Sequence, residues 1–227
     1  MSRNMLDKEI RTQAYVLRRT NYGEADRILN LLTPEGKMAV MAKGVRKPRS
    51  KLAGGIEMFT LADVNIARGR GEFGILTGAK MLRHYGGVVK DLGRMELASA
   101  MLKRVSLAAE STDNPEYFRL VDMGLAALDN GDDVSLVEAW FWLRLVRETG
   151  EEVNLYRDID GMKLSAGERY DWHAAEGAFA ANERGEYGVN EIKMLRLLTT
   201  VDYGVAGRVK TGQEVIDKAL RLARSVV

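Results

Sequence analysis

The chain has 227 residues, with 34 Lys and Arg against 32 Asp and Glu, and no cysteine. That length allows one large domain or two small ones, and the missing thiols exclude disulfides, cysteine nucleophiles and cysteine-ligated zinc. No apolar run approaches the roughly 20 residues of a membrane helix, and the first nine residues hold no apolar signal core, so a cytoplasmic protein away from the membrane is expected.

Charge is divided unevenly along the chain. Residues 1–83 carry 16 Lys/Arg and 8 Asp/Glu, whereas residues 84–227 carry 18 and 24. This asymmetry predicts a polyanion-binding part joined to a part with another task.

The first part reads as β-rich. Residues 12–19 contain Ala14, Tyr15, Val16 and Leu17, and residues 26–33 contain Ile28, Leu29, Leu31 and Leu32. Thr33-Pro34-Glu35-Gly36 places Pro and Gly where a tight turn favours them, so 26–33 and 37–43 form a hairpin. Residues 59–67 and 73–80 make a second pair joined through 68–72. Five short strands within about 70 residues suggest a small barrel of the OB-fold kind.

Between the two hairpins stands Lys43-Gly44-Val45-Arg46-Lys47-Pro48-Arg49-Ser50-Lys51-Leu52, with five cations and no acid. Gly, Pro and Ser make it a loop, and a basic loop on a small β-domain is a counter-surface for a phosphate backbone. Lys43, Arg46, Lys47, Arg49 and Lys51 are the expected phosphate contacts, joined by Arg18, Arg19, Arg68 and Arg70. Tyr15, Tyr22 and Phe73 are aromatic candidates for base stacking, of which at least one belongs in the core. Glu24 and Asp26 are read as closing a turn and pairing with Arg27, not as an acid–base couple.

After residue 84 the period becomes helical. Met95, Ala98, Leu102, Val105 and Ala109 share one face. Asn114-Pro115 opens a second helix. Asp132 or Asp133 caps a third, with the stripe Leu136, Trp140, Leu143 and Val146 and a stop at Gly150. Trp140 belongs to the core, whereas Trp142 falls off the stripe and is expected at an exposed or interface position. Thr211-Gly212-Gln213-Glu214 reads as a capping box before a last helix. Residues 151–189, rich in glycine, read as an irregular insertion in a helical bundle.

Other motifs carry less. Gly69-Arg70-Gly71-Glu72-Phe73-Gly74 matches a dinucleotide fingerprint, but that site needs a helix next, and a strand-like run follows. His84 and His173 have no partner at metal-ligand spacing. No nucleophile motif or phosphate-loop lysine occurs, and nothing predicts catalysis.

Taken together, Tyr22-Gly23-Glu24-Ala25-Asp26-Arg27-Ile28-Leu29, then Leu32-Thr33-Pro34-Glu35-Gly36, then the basic run from Lys43 to Leu52 resemble the start of the bacterial recombination mediator RecO family. The resemblance implies an α+β chain: an OB-fold five-stranded β-barrel over 1–83, then an α-helical bundle domain over 84–227 with the insertion at 151–189. It implies binding of single- and double-stranded DNA, strand annealing, and action with RecR to load RecA onto DNA coated by single-strand-binding protein. It further implies docking of the C-terminal tail of that coating protein, an acidic tail with an apolar end. A groove between helices would hold it, with Arg144, Arg147, Arg221 or Arg224 as the cation.

The family often carries a four-cysteine zinc element. Here Arg157 and Asp160 stand near the first cysteine pair and Ala180-Ala181-Asn182-Glu183 near the second, so no zinc and no other cofactor is expected. Tyr156, Tyr170, Trp172 and Phe179 are expected to hold the segment by packing. Two other readings of the basic loop stay open from the residues alone. One is an OB-fold RNA-binding or ribosome-associated factor, and the other is an adaptor for an acidic protein partner.

Overall fold

The structure is a computed structural model and describes residues 9–67, 73–151 and 153–227. By packing the chain divides into two compact units, Met1–Val121 and Asp122–Val227.

The first unit is built on five strands: β1 (Ile10–Tyr22), β2 (Asp26–Thr33), β3 (Gly36–Ala42), β4 (Thr60–Ala67) and β5 (Gly74–His84). They close into a barrel in the order β1-β2-β3-β5-β4. All neighbours are antiparallel except β3 and β5, which run parallel through Val40–Gly74 and Met41–Ile75 only. This order and the single parallel seam are those of the predicted OB-fold barrel.

Alternation explains the barrel's interior. β4 buries Thr60, Ala62, Val64 and Ile66 and leaves the residues between them half-exposed. Ala14, Val16, Leu29, Leu31, Val40, Ala42 and Leu76 complete the core from the other strands. A bulge in β1 between Val16 and Arg18 interrupts the alternation. The extra residue, Leu17, shifts the phase, so Arg18 and Arg19 take opposite faces of the strand from those an unbroken pattern would give.

Three helices belong in part or whole to this unit: α1 (Gly86–Val89), α2 (Leu92–Ala108) and the start of α3 (Glu116–Asn130), inside which the division between units falls. Asp91 caps α2 by accepting from the Arg94 N–H, and Asn114 accepts from the Glu116 N–H. Tyr15 leaves the barrel on its outer face and is fully buried against Tyr85 and Phe118, with its hydroxyl 2.7 Å from that of Tyr85. At the far end, the Lys37 ammonium donates to the Ser106 carbonyl and pairs with Glu110.

The second unit packs α4 (Val134–Glu148), α5 (Val189–Thr200), α6 (Tyr203–Ala206) and α7 (Gln213–Ser225) with the rest of α3. Asp133, not Asp132, caps α4 by accepting from Leu136 N–H. The box expected at 211–214 does not form: α7 starts after Gly212 with no side-chain cap. Trp142 is also corrected. It is buried, and its indole N–H donates to Glu138. An α-helix with apolar residues on nearly every side, as Leu136 through Val146 are, is buried all round rather than along one stripe.

The segment 151–189 is more ordered than the sequence suggests, because it contains a hairpin of β6 (Tyr170–His173) and β7 (Ala178–Ala181). Phe179 is fully buried at its centre, with ring contacts to Tyr170, Trp172 and Tyr187. Tyr156 does not join this cluster; its exposed ring lies under the Arg196 guanidinium instead.

Candidate nucleic-acid interface

The basic run leaves β3 and is fixed at both ends. Gly44 adopts φ +63, a left-handed turn that suits glycine, and its N–H donates to the Asp26 carboxylate at 2.6 Å. Val45, one residue on, is turned into the barrel core and is 3% exposed. Arg46 N–H then donates to the Ala25 carbonyl, and its guanidinium to the Gly23 carbonyl. Asp26 therefore binds loop backbone, while Arg27, its expected partner, donates to Asn21.

Short-range bonds carry the loop onward. Lys47 N–H reaches Gly44, Ser50 N–H reaches Lys47, and the Ser50 hydroxyl accepts from Leu52 N–H. A 3-10 turn at Ala53–Gly55 follows, and Ile56 enters the same core at 1% exposed. Phe59 closes the loop in a left-handed conformation, φ 56, and is held there by burial and by Tyr85 N–H donating to its carbonyl. Such a conformation costs an ordinary residue about 1–2 kcal/mol, so the packing around Phe59 must offset it.

Between these anchors the five cations face solvent. Lys43, Arg46, Lys47, Arg49 and Lys51 are all exposed, and no Asp or Glu lies among them. The bulge separates the two arginines of β1. Arg18 is exposed, whereas Arg19 is half-buried and bound to Glu57 at 2.7 Å. Arg68 and Arg70, with most of the Gly69–Gly74 motif, lie outside the described residues; a strand, β5, begins at Gly74.

Of the three aromatics, Tyr15 is the core residue, Tyr22 is 52% exposed at the end of β1, and Phe73 is half-buried. Lys80 and Arg83, both exposed near the end of β5, belong to no sequence motif. Their signal was a strand end with cations and no acid.

In the second unit the four arginines considered for a peptide tail have different surroundings. Arg221 pairs with Glu186, and Arg224 forms a two-pronged bridge to Glu138 at 2.7 Å. Arg144 is largely buried, 3.8 Å from Glu148, and its Nε has no hydrogen-bond partner among the described residues. Arg147 lines a cavity of about 160 Å³ with Leu143, Val153, Leu155 and Tyr156, and donates to the Thr199 carbonyl.

The residues at the expected zinc positions are bonded within the segment. Arg157 donates to the Gly161 carbonyl, Asp160 N–H donates to Asp158, and Asn182 binds Asp171. Among the described residues no group of three or more His, Asp or Glu is placed to hold an ion. Nor, among them, is any helix long and apolar enough to cross a membrane.

Known proteins place the chain. Its residues 5–85 match the family model described as Recombination protein O N terminal, and residues 89–227 match Recombination protein O C terminal. It is 30% identical over 218 residues to the DNA repair protein RecO of Dehalococcoides mccartyi strain CBDB1, covering 92% of this chain and 86% of that one. The DNA repair protein RecO of Heliobacterium modesticaldum is 31% identical over 221 residues, with coverage of 91% and 79%. A barrel with the expected strand order, a helical region beyond it and both family models matched in sequence order lead to one statement: the chain belongs to the RecO family of DNA repair and recombination proteins.

Proposed function

We propose that this protein binds single- and double-stranded DNA through the basic loop of its barrel, anneals complementary strands and, with RecR, helps load RecA onto DNA coated by single-strand-binding protein. The family is non-enzymatic, and the reading needs no catalytic group. The observation that carries it is five exposed cations on a loop whose shape is set by Val45, Ile56 and Asp26. A loop ordered before binding loses little conformational freedom on meeting a strand. Each phosphate it neutralises releases counterions and adds affinity without regard to sequence. Covering charge on two complementary strands lowers their mutual repulsion and favours pairing.

The test is the triple variant Lys43→Glu, Arg46→Glu, Lys47→Glu. Single-stranded DNA affinity should fall steeply, and the log K against log salt slope should shallow by about 0.7 for each lost phosphate contact. Stability should change by less than about 0.5 kcal/mol at Lys43 and Lys47, whose side chains are exposed, and by somewhat more at Arg46, which gives up its bond to the Gly23 carbonyl. Annealing of strands coated with the cognate single-strand-binding protein should fall in parallel. A folded variant with unchanged affinity and slope would remove the assignment.

The helical unit is assigned the acidic, apolar-ended tail of the coating protein. The cavity at Leu143, Val153, Leu155 and Tyr156 supports this, since it offers apolar side chains beside Thr199, Thr200 and the Arg147 cation. The Arg147→Glu variant should bind a tail peptide at least tenfold more weakly in a fluorescence anisotropy titration and bind DNA as before. Equal peptide binding would move the tail to another surface.

A further inference from the structure

β5 outlasts its partner β3: they pair only at Gly74 and Ile75, and β5 continues to His84. The freed edge is covered near Ala79 by the 3-10 turn, where Gly55 sits so close that a Cβ would lie 2.7 Å from the Ala79 carbonyl carbon. Past that point Lys80, Met81, Leu82, Arg83 and His84 are all exposed, Met81 at 45% and Leu82 at 46%. Residues 73–90 contain no Asp or Glu. The carboxylate across the strand pair from Lys80 is Asp63; it is hydrogen-bonded by Arg11, which holds it below the usual carboxylate range, and the Lys80 charge adds a smaller attraction. The Arg83 guanidinium lies 4.6 Å from the centre of the Tyr85 ring, a contact that orients it.

We propose that the bound single strand continues from the basic loop onto the exposed end of β5, where Lys80 and Arg83 take phosphates and Met81 and Leu82 pack against bases. The proposal rests on the DNA-binding reading above. Continuity supports it. Lys51 is four residues from Gly55, which touches Ala79, so at full extension the loop's last cation stands within about 18 Å of β5. Composition supports it too: cations beside apolar side chains suit a polymer with a charged backbone and flat apolar bases. A bulge opposite Leu61 and Ala62 breaks the regular edge that an added peptide strand would need, which favours nucleic acid over protein.

The test uses the full chain and oligo-dT of two lengths, about 6 and about 16 nucleotides, spanning the range of single OB-fold sites. Two variants are compared with the basic-loop triple variant: Lys80→Glu with Leu82→Ser, and Lys80→Gln with Arg83→Gln. Circular dichroism checks that each is folded. The expected result is about a tenfold loss for the long oligonucleotide, with a salt slope shallower by about 1.4 for two lost phosphates in the second variant. The short one should bind as before, and the loop variant should lose both lengths. If either double variant fails to fold, Lys80→Gln alone is read, with an expected slope change of about 0.7. Unchanged long-oligonucleotide binding in the β5 variants, with loss in the loop variant, overturns the extension and leaves the DNA-binding reading standing. Unchanged binding in every variant overturns both. Unchanged DNA binding with loss of an acidic peptide would make this edge a protein site and overturn the extension.

Discussion

Two stretches of this chain lack long helices or strands yet hold a defined shape, and they do so in opposite ways. The basic loop between β3 and β4 hangs on a barrel that other residues build. Two apolar pegs, Val45 and Ile56, enter that barrel's core. The segment from Asn154 to Tyr187 carries an aromatic cluster of its own, centred on the buried Phe179 with Tyr170, Trp172 and Tyr187 in ring contact. Its polar side chains turn inward onto its own backbone. Asn154 accepts from Tyr156 and Arg157, Asp158 from Asp160 and Met162, and Arg169 donates to Gly185 and Glu186. The pegged loop turns its charges to solvent, with Arg46 also donating to the Gly23 carbonyl, whereas the other segment uses many of its polar groups on its own backbone.

The contrast can be broken at its pegs, where the largest effects are expected. Phe179→Ala should cost about 3–5 kcal/mol in denaturant unfolding, and Ile56→Ala about 2–5, as for large apolar side chains removed from a core. Their functional consequences should differ. Ile56→Ala should also weaken single-stranded DNA binding at temperatures where the protein remains folded, while Phe179→Ala should not. Equal loss of DNA affinity in both would mean the loop is not set by its pegs.

Removing the polar fastenings gives smaller effects. Asp26→Ala leaves the Gly44 N–H without its carboxylate, a loss of about 1–3 kcal/mol, and should weaken DNA binding several-fold without altering the cations. Its counterpart, Asp171, is held below the usual carboxylate range by the Asn182 side chain and the Glu186 N–H. A depressed carboxylate contributes stability above its unfolded value, about pH 4, and loses it as pH falls through the lower folded value. Unfolding midpoints measured from pH 6 down to 2 should therefore fall less steeply below pH 4 in Asp171→Asn than in the parent protein. Parallel curves would remove Asp171 from the account.

The smallest effect should come from a metal chelator. Since the segment is held by Phe179 and side-chain-to-backbone bonds, EDTA should leave the melting temperature unchanged, and elemental analysis should find no stoichiometric zinc. A chelator-induced drop of several degrees would show that a metal stabilises the protein.

The barrel could be read in the sequence because its cues are local. Alternation in 60–67 and the turn at Thr33–Gly36 placed strands within a residue or two. The bulge at Leu17 could not, since nothing in Leu17-Arg18-Arg19 marks a phase shift, and so Arg19 was grouped with Arg18 although it binds Glu57. Val45 was hidden likewise: one apolar residue among cations looks incidental until the core beneath it is known. The β6–β7 hairpin was missed because each strand has four residues, too short for a period to register. α5 was readable from Ile192, Leu195 and Leu198 and was overlooked beside the irregular stretch before it.

The turn Thr33-Pro34-Glu35-Gly36 has a bearing on where this protein can be cut. Glu35 accepts from Thr12, Lys37 reaches the end of α2, and Gly36, at φ +124, passes so near Asp113 that a Cβ would lie 2.5 Å from its carboxylate oxygen. Tyr15, on the strand beside it, is shielded by Tyr85 and Phe118. A fragment ending at residue 83 would keep the Glu35–Thr12 bond but take away the partners of Lys37 and the cover of Gly36, and would leave Tyr15 as a bare aromatic patch on the barrel wall. A DNA-binding piece excised for study should therefore fold better when it runs through the end of α3, Asn130, than when it stops at the last barrel strand.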